Sequence, residues 1–110
     1  MSFNVIVTTA FKKQAKRIAK KQHSLRSDIS DLVKSLENNP VQGEPLGKGC
    51  YKMRMAISSK GKGKRGGSRI ISCVKLRRKN VYLLSIIDKS DKESISDKEL
   101  DLLLKIAGLQ

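Results

Sequence analysis

The stretch that decides the fold is Tyr51-Lys52-Met53-Arg54-Met55-Ala56-Ile57, in which large apolar side chains alternate with smaller or basic ones. Successive side chains of a β-strand point to opposite faces of the sheet. The pattern therefore predicts a strand that buries its odd-numbered residues and presents Lys52 and Arg54 together on the other face.

Two further strands are predicted after this one, at Ser68–Leu76 and Val81–Ile87, separated by the basic turn 77–80. The second is almost continuously apolar, which is typical of a central strand covered on both faces. Between the first two strands lies the segment 58–67, which is rich in glycine and lysine and is expected to be a mobile hairpin loop. The three strands predict an antiparallel meander.

The N-terminal half reads as one strand followed by two helices. Alternation over 3–8 predicts the strand, with Thr9 as the cap of a helix over 10–22. Apolar residues at helical spacing from Leu25 onward predict a second helix, which follows His23 and Ser24 and ends at the breaking sequence Asn38-Asn39-Pro40. The glycine- and proline-containing segment 41–49 is then expected to be a loop.

The last element is a helix that begins at a capping box. Ser96 and Glu99 have the required spacing, and Ile95 with Leu100 supplies the matching hydrophobic staple. The helix is unusually apolar, so it either docks on the domain or meets a partner. The element order β-α-α-β-β-β-α predicts one α+β domain over residues 1–110, with the first strand in the same sheet and the helical hairpin across one face.

The charge balance points to a polyanionic partner. The chain of 110 residues carries 24 Lys and Arg against 10 Asp and Glu, a net charge of +14. Nucleic acid is favoured over an anionic membrane or a merely solubilising surface. The first helix carries columns of cations that include Lys12 and Lys16, for which RNA contact and a solvated face remain open alternatives.

Other sequence features indicate the cellular location of the protein and the ligands to be expected. Two cysteines without metal-ligand spacing and the expected lack of a signal peptide indicate a reducing, cytoplasmic location. No apolar run approaches the length of a membrane span. We therefore expect no metal, no cofactor, no membrane association and no small-molecule substrate.

Several segments in order resemble one known family. They are the Asn-Asn-Pro helix end, the loop Gly43-Glu44-Pro45-Leu46-Gly47-Lys48-Gly49, the Tyr51–Arg54 strand, the glycine-lysine run through Arg69, and 88–92 before the capped helix. Together they resemble toxins of the RelE/ParE superfamily, especially the HigB-like branch of RelE toxins, over nearly the whole chain.

The resemblance implies an endoribonuclease that cuts messenger RNA, usually on the translating ribosome, and that an acidic antitoxin protein inhibits. ParE-like members of the superfamily instead inhibit DNA gyrase, and a non-catalytic RNA- or ribosome-binding protein is a third alternative. The aromatic content of 4% is too low for an RNA binder that stacks bases on exposed rings. The basic strand and Arg69 favour the nuclease.

Candidate catalytic residues follow from that chemistry. His23 is the only histidine and lies between two helices, so arginine and lysine must do the work. We assign Arg54 and Arg69 to the phosphate, because a guanidinium gives bidentate hydrogen bonds. Lys52 or Lys89 is the candidate base, and electrostatic grip without proton transfer is the alternative for all four.

Other polar residues near these strands receive lesser roles. Asp88 is a weak candidate for proton transfer, and Tyr51 and Tyr82 are expected in the core. The loop cations are expected to clamp phosphates rather than take part in chemistry, because a glycine-rich loop positions groups poorly. These clamps are Lys60, Lys62, Lys64 and Arg65.

Overall fold

The computed structural model describes residues 2–61, 67–88 and 95–110, and it has the expected α+β fold. The helices are α1 (Thr9–Ala19), α2 (Leu25–Asn38) and α3 (Asp97–Ile106). The strands are β1 (Asn4–Val7), β2 (Glu44–Gly47), β3 (Cys50–Met55), β4 (Ser68–Lys75) and β5 (Asn80–Asp88), and a 3₁₀ turn spans Ser58–Lys60. No helix in these three ranges is long and apolar enough to cross a membrane.

One mixed sheet organises the fold, with strand order β1-β5-β4-β3-β2. The predicted antiparallel meander of β3, β4 and β5 is confirmed, and so is the placement of the first strand in the same sheet. β1 lies parallel to β5, which makes β5 an inner strand. This position accounts for the continuous apolar run in β5, whose residues Val81, Leu83 and Leu84 are almost fully buried.

The expectation that the whole segment 41–49 is a loop was wrong, because it contains strand β2. This strand pairs antiparallel with β3, with Glu44 opposite Lys52. Pro45 and the flanking glycines conceal the strand in the sequence, but a proline is tolerated on an edge strand, where its missing N–H interrupts no inner ladder. A tight turn at Lys48, which has a left-handed φ of 57°, joins the two strands.

The first helix begins one residue earlier than predicted, and its cap is Thr8 rather than Thr9. The Thr8 hydroxyl accepts a hydrogen bond from the Phe11 N–H at 3.3 Å and donates to the Leu83 carbonyl at 2.8 Å. The same side chain thus caps α1 and anchors it to β5. The helix also ends at Ala19, short of the predicted 22.

The hydrophobic core lies on both faces of the sheet. On one face the predicted apolar stripes of α1 and α2 pack against the sheet, with Phe11, Leu25, Leu36, Met53, Met55, Ile70 and Leu83 buried. On the other face α3 packs through Leu100 and Leu104 on Cys50, Ile71, Cys73 and Leu84. Of the two alternatives for α3, the structure shows docking on the domain, although Leu102 and Ile106 on the same helix remain exposed.

Beyond the end of strand β1, a side chain of helix α1 accepts a backbone hydrogen bond from β5. β1 pairs with β5 only as far as Leu83, and the Ile86 N–H farther along donates to Gln14 Oε1 on α1 at 3.1 Å. The Ser85 hydroxyl donates to the same oxygen at 3.0 Å. Gln14 thus satisfies a backbone donor that a longer neighbouring strand would otherwise pair.

The 3₁₀ turn Ser58–Lys60 is fixed to the helical layer, so the expected mobile loop does not begin at Ser58. Asp28 accepts hydrogen bonds from the Ser58 N–H at 3.0 Å and from the Ser58 hydroxyl at 2.6 Å. The Ser24 hydroxyl accepts a hydrogen bond from the Ser59 N–H at 2.8 Å. The loop residues 62–66 lie outside the described part of the chain.

Asp28 links this turn to α2, and its environment changes its titration. Burial acts to raise the pKa of the carboxyl group, but hydrogen bonds from Ser58 and Ser24 to the carboxylate outweigh burial and lower the pKa below its usual value. A carboxyl group whose pKa is lowered on folding contributes stability above its unfolded pKa, and this contribution is lost as the pH falls through the folded pKa.

We predict that Asp28→Asn lowers the free energy of unfolding at pH 7 by about 1–2 kcal/mol, because hydrogen bonds to a charged group become neutral ones. The difference in the free energy of unfolding between the variant and the unsubstituted protein should become smaller as the pH falls below 3.8, the usual pKa of the carboxyl group. Urea unfolding between pH 3 and pH 7 measures both quantities. Asp31→Asn, on an exposed position of the same helix, is the matched control and should change little.

Candidate functional site

Three cations line one cleft on the sheet face opposite the α1–α2 hairpin. We call it the cationic cleft and define it by Gln42, Gly43, Glu44, Lys52, Arg54 and Arg69; its volume is about 460 Å³. Arg54 and Arg69 are direct cross-strand partners, and Lys52 lies two residues from Arg54 on the same face. The expected convergence of these three cations is thus observed.

The cation positions follow from the pattern of β3 and β4. Met53, Met55 and Ile70 point into the core beneath the helical hairpin. Their neighbours Arg54 and Arg69 must then point the other way, because successive side chains of a strand alternate. Like charges directly opposite each other destabilise a sheet, so this pair costs the fold some stability.

Arg69 carries an unsatisfied donor. Its Nε is buried, and within the described residues it has no hydrogen-bond partner. A buried donor without a partner costs about 1–3 kcal/mol, and a donor on a charged group costs more.

Glu44 brings a carboxylate to the cleft, which the sequence reasoning missed. Its Oε2 lies 3.5 Å from the ammonium of Lys52, whose side chain is 20% exposed, while Glu44 itself is 74% exposed. The signal for Glu44 was present, since a tight turn centred on Lys48 places residues 44 and 52 opposite each other. Because the segment 41–49 was predicted to be a loop, the pairing of Glu44 with Lys52 was not predicted.

Gly43 forms one wall of the cleft by close approach to β3. A Cβ at this position would lie 2.2 Å from the carbonyl oxygen of Lys52, and the φ angle of Gly43 is +95°. Real Cβ atoms do not come so close to a backbone oxygen, and side chains rarely adopt such a φ. Glycine is therefore required where β2 begins.

The other predicted site residues lie elsewhere. Lys89, Lys62, Lys64 and Arg65 are outside the described residues. Lys60 lies on the 3₁₀ turn, where its ammonium contacts Asp88 Oδ1 at 2.6 Å and both side chains are largely shielded. Lys12 and Lys16 are exposed on α1, on the other side of the sheet, and are not brought together with the cleft.

The remaining polar and aromatic candidates do not join the cleft. His23 is exposed in the link between α1 and α2. Tyr51 and Tyr82 pack against the two core clusters, as expected. Across residues 2–61, 67–88 and 95–110 no group of three or more His, Cys, Asp or Glu is arranged to hold a metal ion.

The cleft combines groups that can bind and polarise a phosphodiester. Two guanidinium groups offer planar, permanently charged donors, and Lys52 adds a third positive charge. Glu44 places a carboxylate, which can accept a proton, 3.5 Å from the Lys52 ammonium. The chemistry available to these residues is therefore anion binding, charge stabilisation and proton transfer between lysine and carboxylate.

Fold and site together define a small basic α+β protein with a cationic cleft on one face of its sheet. Residues 8–110 match the family described as "RelE toxin of RelE / RelB toxin-antitoxin system". Because the match spans nearly the whole chain, the chain belongs to this toxin family. No curated protein sequence matches the chain significantly.

Solved structures of toxins share the fold. A double arginine-to-alanine mutant of the Escherichia coli toxin RelE in the free state matches with a TM-score of 0.63 and 13% identity, covering 96% of this chain and 98% of that one. The toxin-antitoxin complex RelBE2 from Mycobacterium tuberculosis matches with 0.60 and 17%, covering 83% and 95%. The isolated E. coli RelE toxin gives 0.55 and 16%, covering 96% and 99%. At these identities the likeness concerns the fold.

The contact of Gly43 with β3 generates a prediction about the cleft. Gly43→Ala should lower the free energy of unfolding by about 2–4 kcal/mol, because it adds a steric clash to the strain of a positive φ. Gly47→Ala is the matched control, since Gly47 has a φ of +88° with no atom near its missing Cβ. It should cost about 1–2 kcal/mol. Equal losses in urea unfolding of the two variants would contradict the close approach.

Proposed function

We propose that this toxin-family member is an endoribonuclease that cuts messenger RNA at the cationic cleft, with the RNA 2′-hydroxyl as the nucleophile. The observation that carries the proposal is the direct pairing of Arg54 with Arg69 across β3 and β4, beside Lys52. Arginines placed opposite each other cost stability, and a bound phosphate offsets that cost. Family membership supports the same reading.

The phosphate would bind between the two guanidinium groups. Arg54 is exposed and reaches a ligand from solvent, whereas Arg69 is half-buried among the residues that line the cleft. Arg54 would then contact the RNA backbone as it approaches, and Arg69 would contact the same phosphate from the more buried side of the cleft. Donors fixed in place before the reaction stabilise the negative charge that grows on the phosphate.

Proton transfer would fall to Lys52 and Glu44. Cleavage by a 2′-hydroxyl requires one group to remove the hydroxyl proton and another to protonate the leaving 5′-oxygen. In the observed pair the ammonium of Lys52 is the donor, and the carboxylate of Glu44, 3.5 Å away, is the acceptor. This division changes the assignment of Lys52 as a base; Lys89 remains the other candidate base.

The partners follow from charge and family. The chain's charge of +14 suits an RNA backbone and an acidic antitoxin alike. The M. tuberculosis relative of the same fold was solved as a toxin-antitoxin complex. We infer an acidic antitoxin that inhibits the toxin, and cleavage on the translating ribosome. The cytoplasmic location and the HigB-like branch stay predictions.

Removing either cleft arginine should abolish most of the activity. Arg54→Ala or Arg69→Ala is expected to slow RNA cleavage by about 10²–10³-fold, the usual cost of losing one group that stabilises transition-state charge. Arg77→Ala, in the exposed turn before β5, removes the same charge outside the cleft and should leave cleavage nearly unchanged. Mapping transcript 5′ ends after induction in bacteria, with and without translation blocked, measures the effect.

The same experiment separates the alternatives. Full growth arrest by both folded cleft variants would remove Arg54 and Arg69 from the site. Intact transcripts accompanied by DNA damage would assign the chain to gyrase inhibition. Harmless expression at high yield would favour a non-catalytic RNA-binding protein.

The chemical mechanism has its own prediction. An RNA substrate with a single 2′-deoxy sugar at the scissile position should bind with unchanged affinity and resist cleavage, because the nucleophile is missing. Cleavage products from ribosomes loaded with each RNA, separated on a denaturing gel, measure the rate, and fluorescence anisotropy at one salt concentration measures the affinity. Cleavage of the deoxy-substituted substrate at the normal rate would exclude the 2′-hydroxyl mechanism.

A further inference from the structure

The two cysteines of the chain face each other across adjacent strands. Cys50 of β3 is the direct partner of Cys73 of β4. Next to them, the Val74 N–H donates a hydrogen bond to the Gly49 carbonyl at 2.8 Å. Gly49 and Val74 are therefore a hydrogen-bonded residue pair of the antiparallel ladder. The cysteines therefore occupy a non-hydrogen-bonded pair, in which Cα atoms lie about 4.5 Å apart and side chains are closest. This Cα–Cα distance lies within the range found for disulfide bonds.

The two sulfur atoms share one small environment. They point to the same face of the sheet and lie 3.8 Å and 4.0 Å from the same oxygen, the Lys48 carbonyl. The contact with the Cys50 thiol lowers the pKa of Cys73, while the same contact, together with burial, raises the pKa of Cys50. Because both sulfur atoms lie against one oxygen, a thiolate at Cys73 has the Cys50 thiol beside it.

We propose that Cys50 and Cys73 form an oxidative modification site, at which a hydroperoxide converts the pair into a disulfide that links β3 to β4. The Cys73 thiolate attacks one peroxide oxygen, so that an S–O bond forms, the O–O bond breaks and the released hydroxide takes up a proton. The Cys50 sulfur then attacks the Cys73 sulfur and forms the S–S bond. The S–O bond breaks, and water leaves with the Cys50 proton.

Helix α3 controls access to this site. Both cysteines are almost fully buried, and they belong to the core cluster that Leu100 and Leu104 of α3 complete. An oxidant reaches the sulfur atoms when α3 lifts from the sheet. The oxidation rate therefore follows the equilibrium between the docked and the lifted helix.

The disulfide would act on the strands that carry the cationic cleft. Cys50 lies two residues before Lys52 and Cys73 lies four residues after Arg69, all on one face. A cross-link at this pair restrains the register that places Arg54 opposite Arg69. The proposal concerns thiol chemistry and does not depend on the proposed function.

The test is oxidation of the purified full chain with a small excess of hydrogen peroxide. We expect an intact mass lower by two hydrogens, loss of both free thiols and recovery with dithiothreitol. The Tm of the oxidised form should rise by on the order of 10 °C relative to the reduced form, since the cross-link closes a long loop. Thiols that stay free, irreversible sulfinic acid, or a disulfide between two molecules would overturn the proposal.

Single variants and a cap variant test the details. Cys50→Ala and Cys73→Ala should each lose the reversible mass change; its persistence in either variant would contradict the pairing. Ser96→Ala weakens the cap of α3 and should speed oxidation by roughly fivefold, the effect of losing one helix cap. Ser30→Ala, exposed on α2, is the matched control. Equal oxidation rates for Ser96→Ala and the unsubstituted protein would show that α3 is not the cover.

Discussion

The pairing register of β3 and β4 is the constraint on which the rest of the structure depends. It places Met53 beside Ile70 in the core and Arg54 opposite Arg69 on the other face. A slip of one residue would exchange the faces and bury two arginines, at a cost of many kcal/mol. Burial of each large apolar side chain contributes about 1.5–3 kcal/mol, which outweighs the repulsion between the exposed Arg54 and the half-buried Arg69.

The layers around the sheet decide where the cleft can form. The α1–α2 hairpin covers one face, so the cations carried by β3 and β4 can only open on the other. On that face α3 covers the end that contains Cys50, Cys73 and Leu84, and it leaves Lys52, Arg54 and Arg69 to line a cleft. The edge strand β2 then closes one side, where Gly43 allows the backbone to approach β3.

The features that the sequence predicted correctly are those fixed by local pattern. Alternation in 51–57 was enough to orient Lys52 and Arg54, and the spacing of Ser96 and Glu99 located the start of α3. The errors arose where distant contacts decide the structure. Thr8 and Thr9 are equivalent cap candidates in the sequence, and the hydrogen bond from Thr8 to the distant Leu83 carbonyl decides between them. Ser58 has the sequence features of a loop residue, but a hydrogen bond to Asp28, thirty residues away, fixes its position. Glu44 was missed because Pro45 and two glycines conceal an edge strand.

A single uninterrupted register connects the cleft with the cysteine pair. The β3–β4 ladder runs from Cys50 and Cys73 to Met55 and Ser68 without a bulge, whereas the β4–β5 ladder is shifted after Ile71. Any rearrangement of β3 against β4 would therefore separate Arg54 from Arg69 and Cys50 from Cys73 together. The bulge instead lies next to β5, where Gln14 rather than a strand completes the backbone pairing. The β3–β4 ladder thus stays in regular register between two shifted ladders, β4–β5 with its shift after Ile71 and β2–β3 with its shift between Pro45 and Gly47.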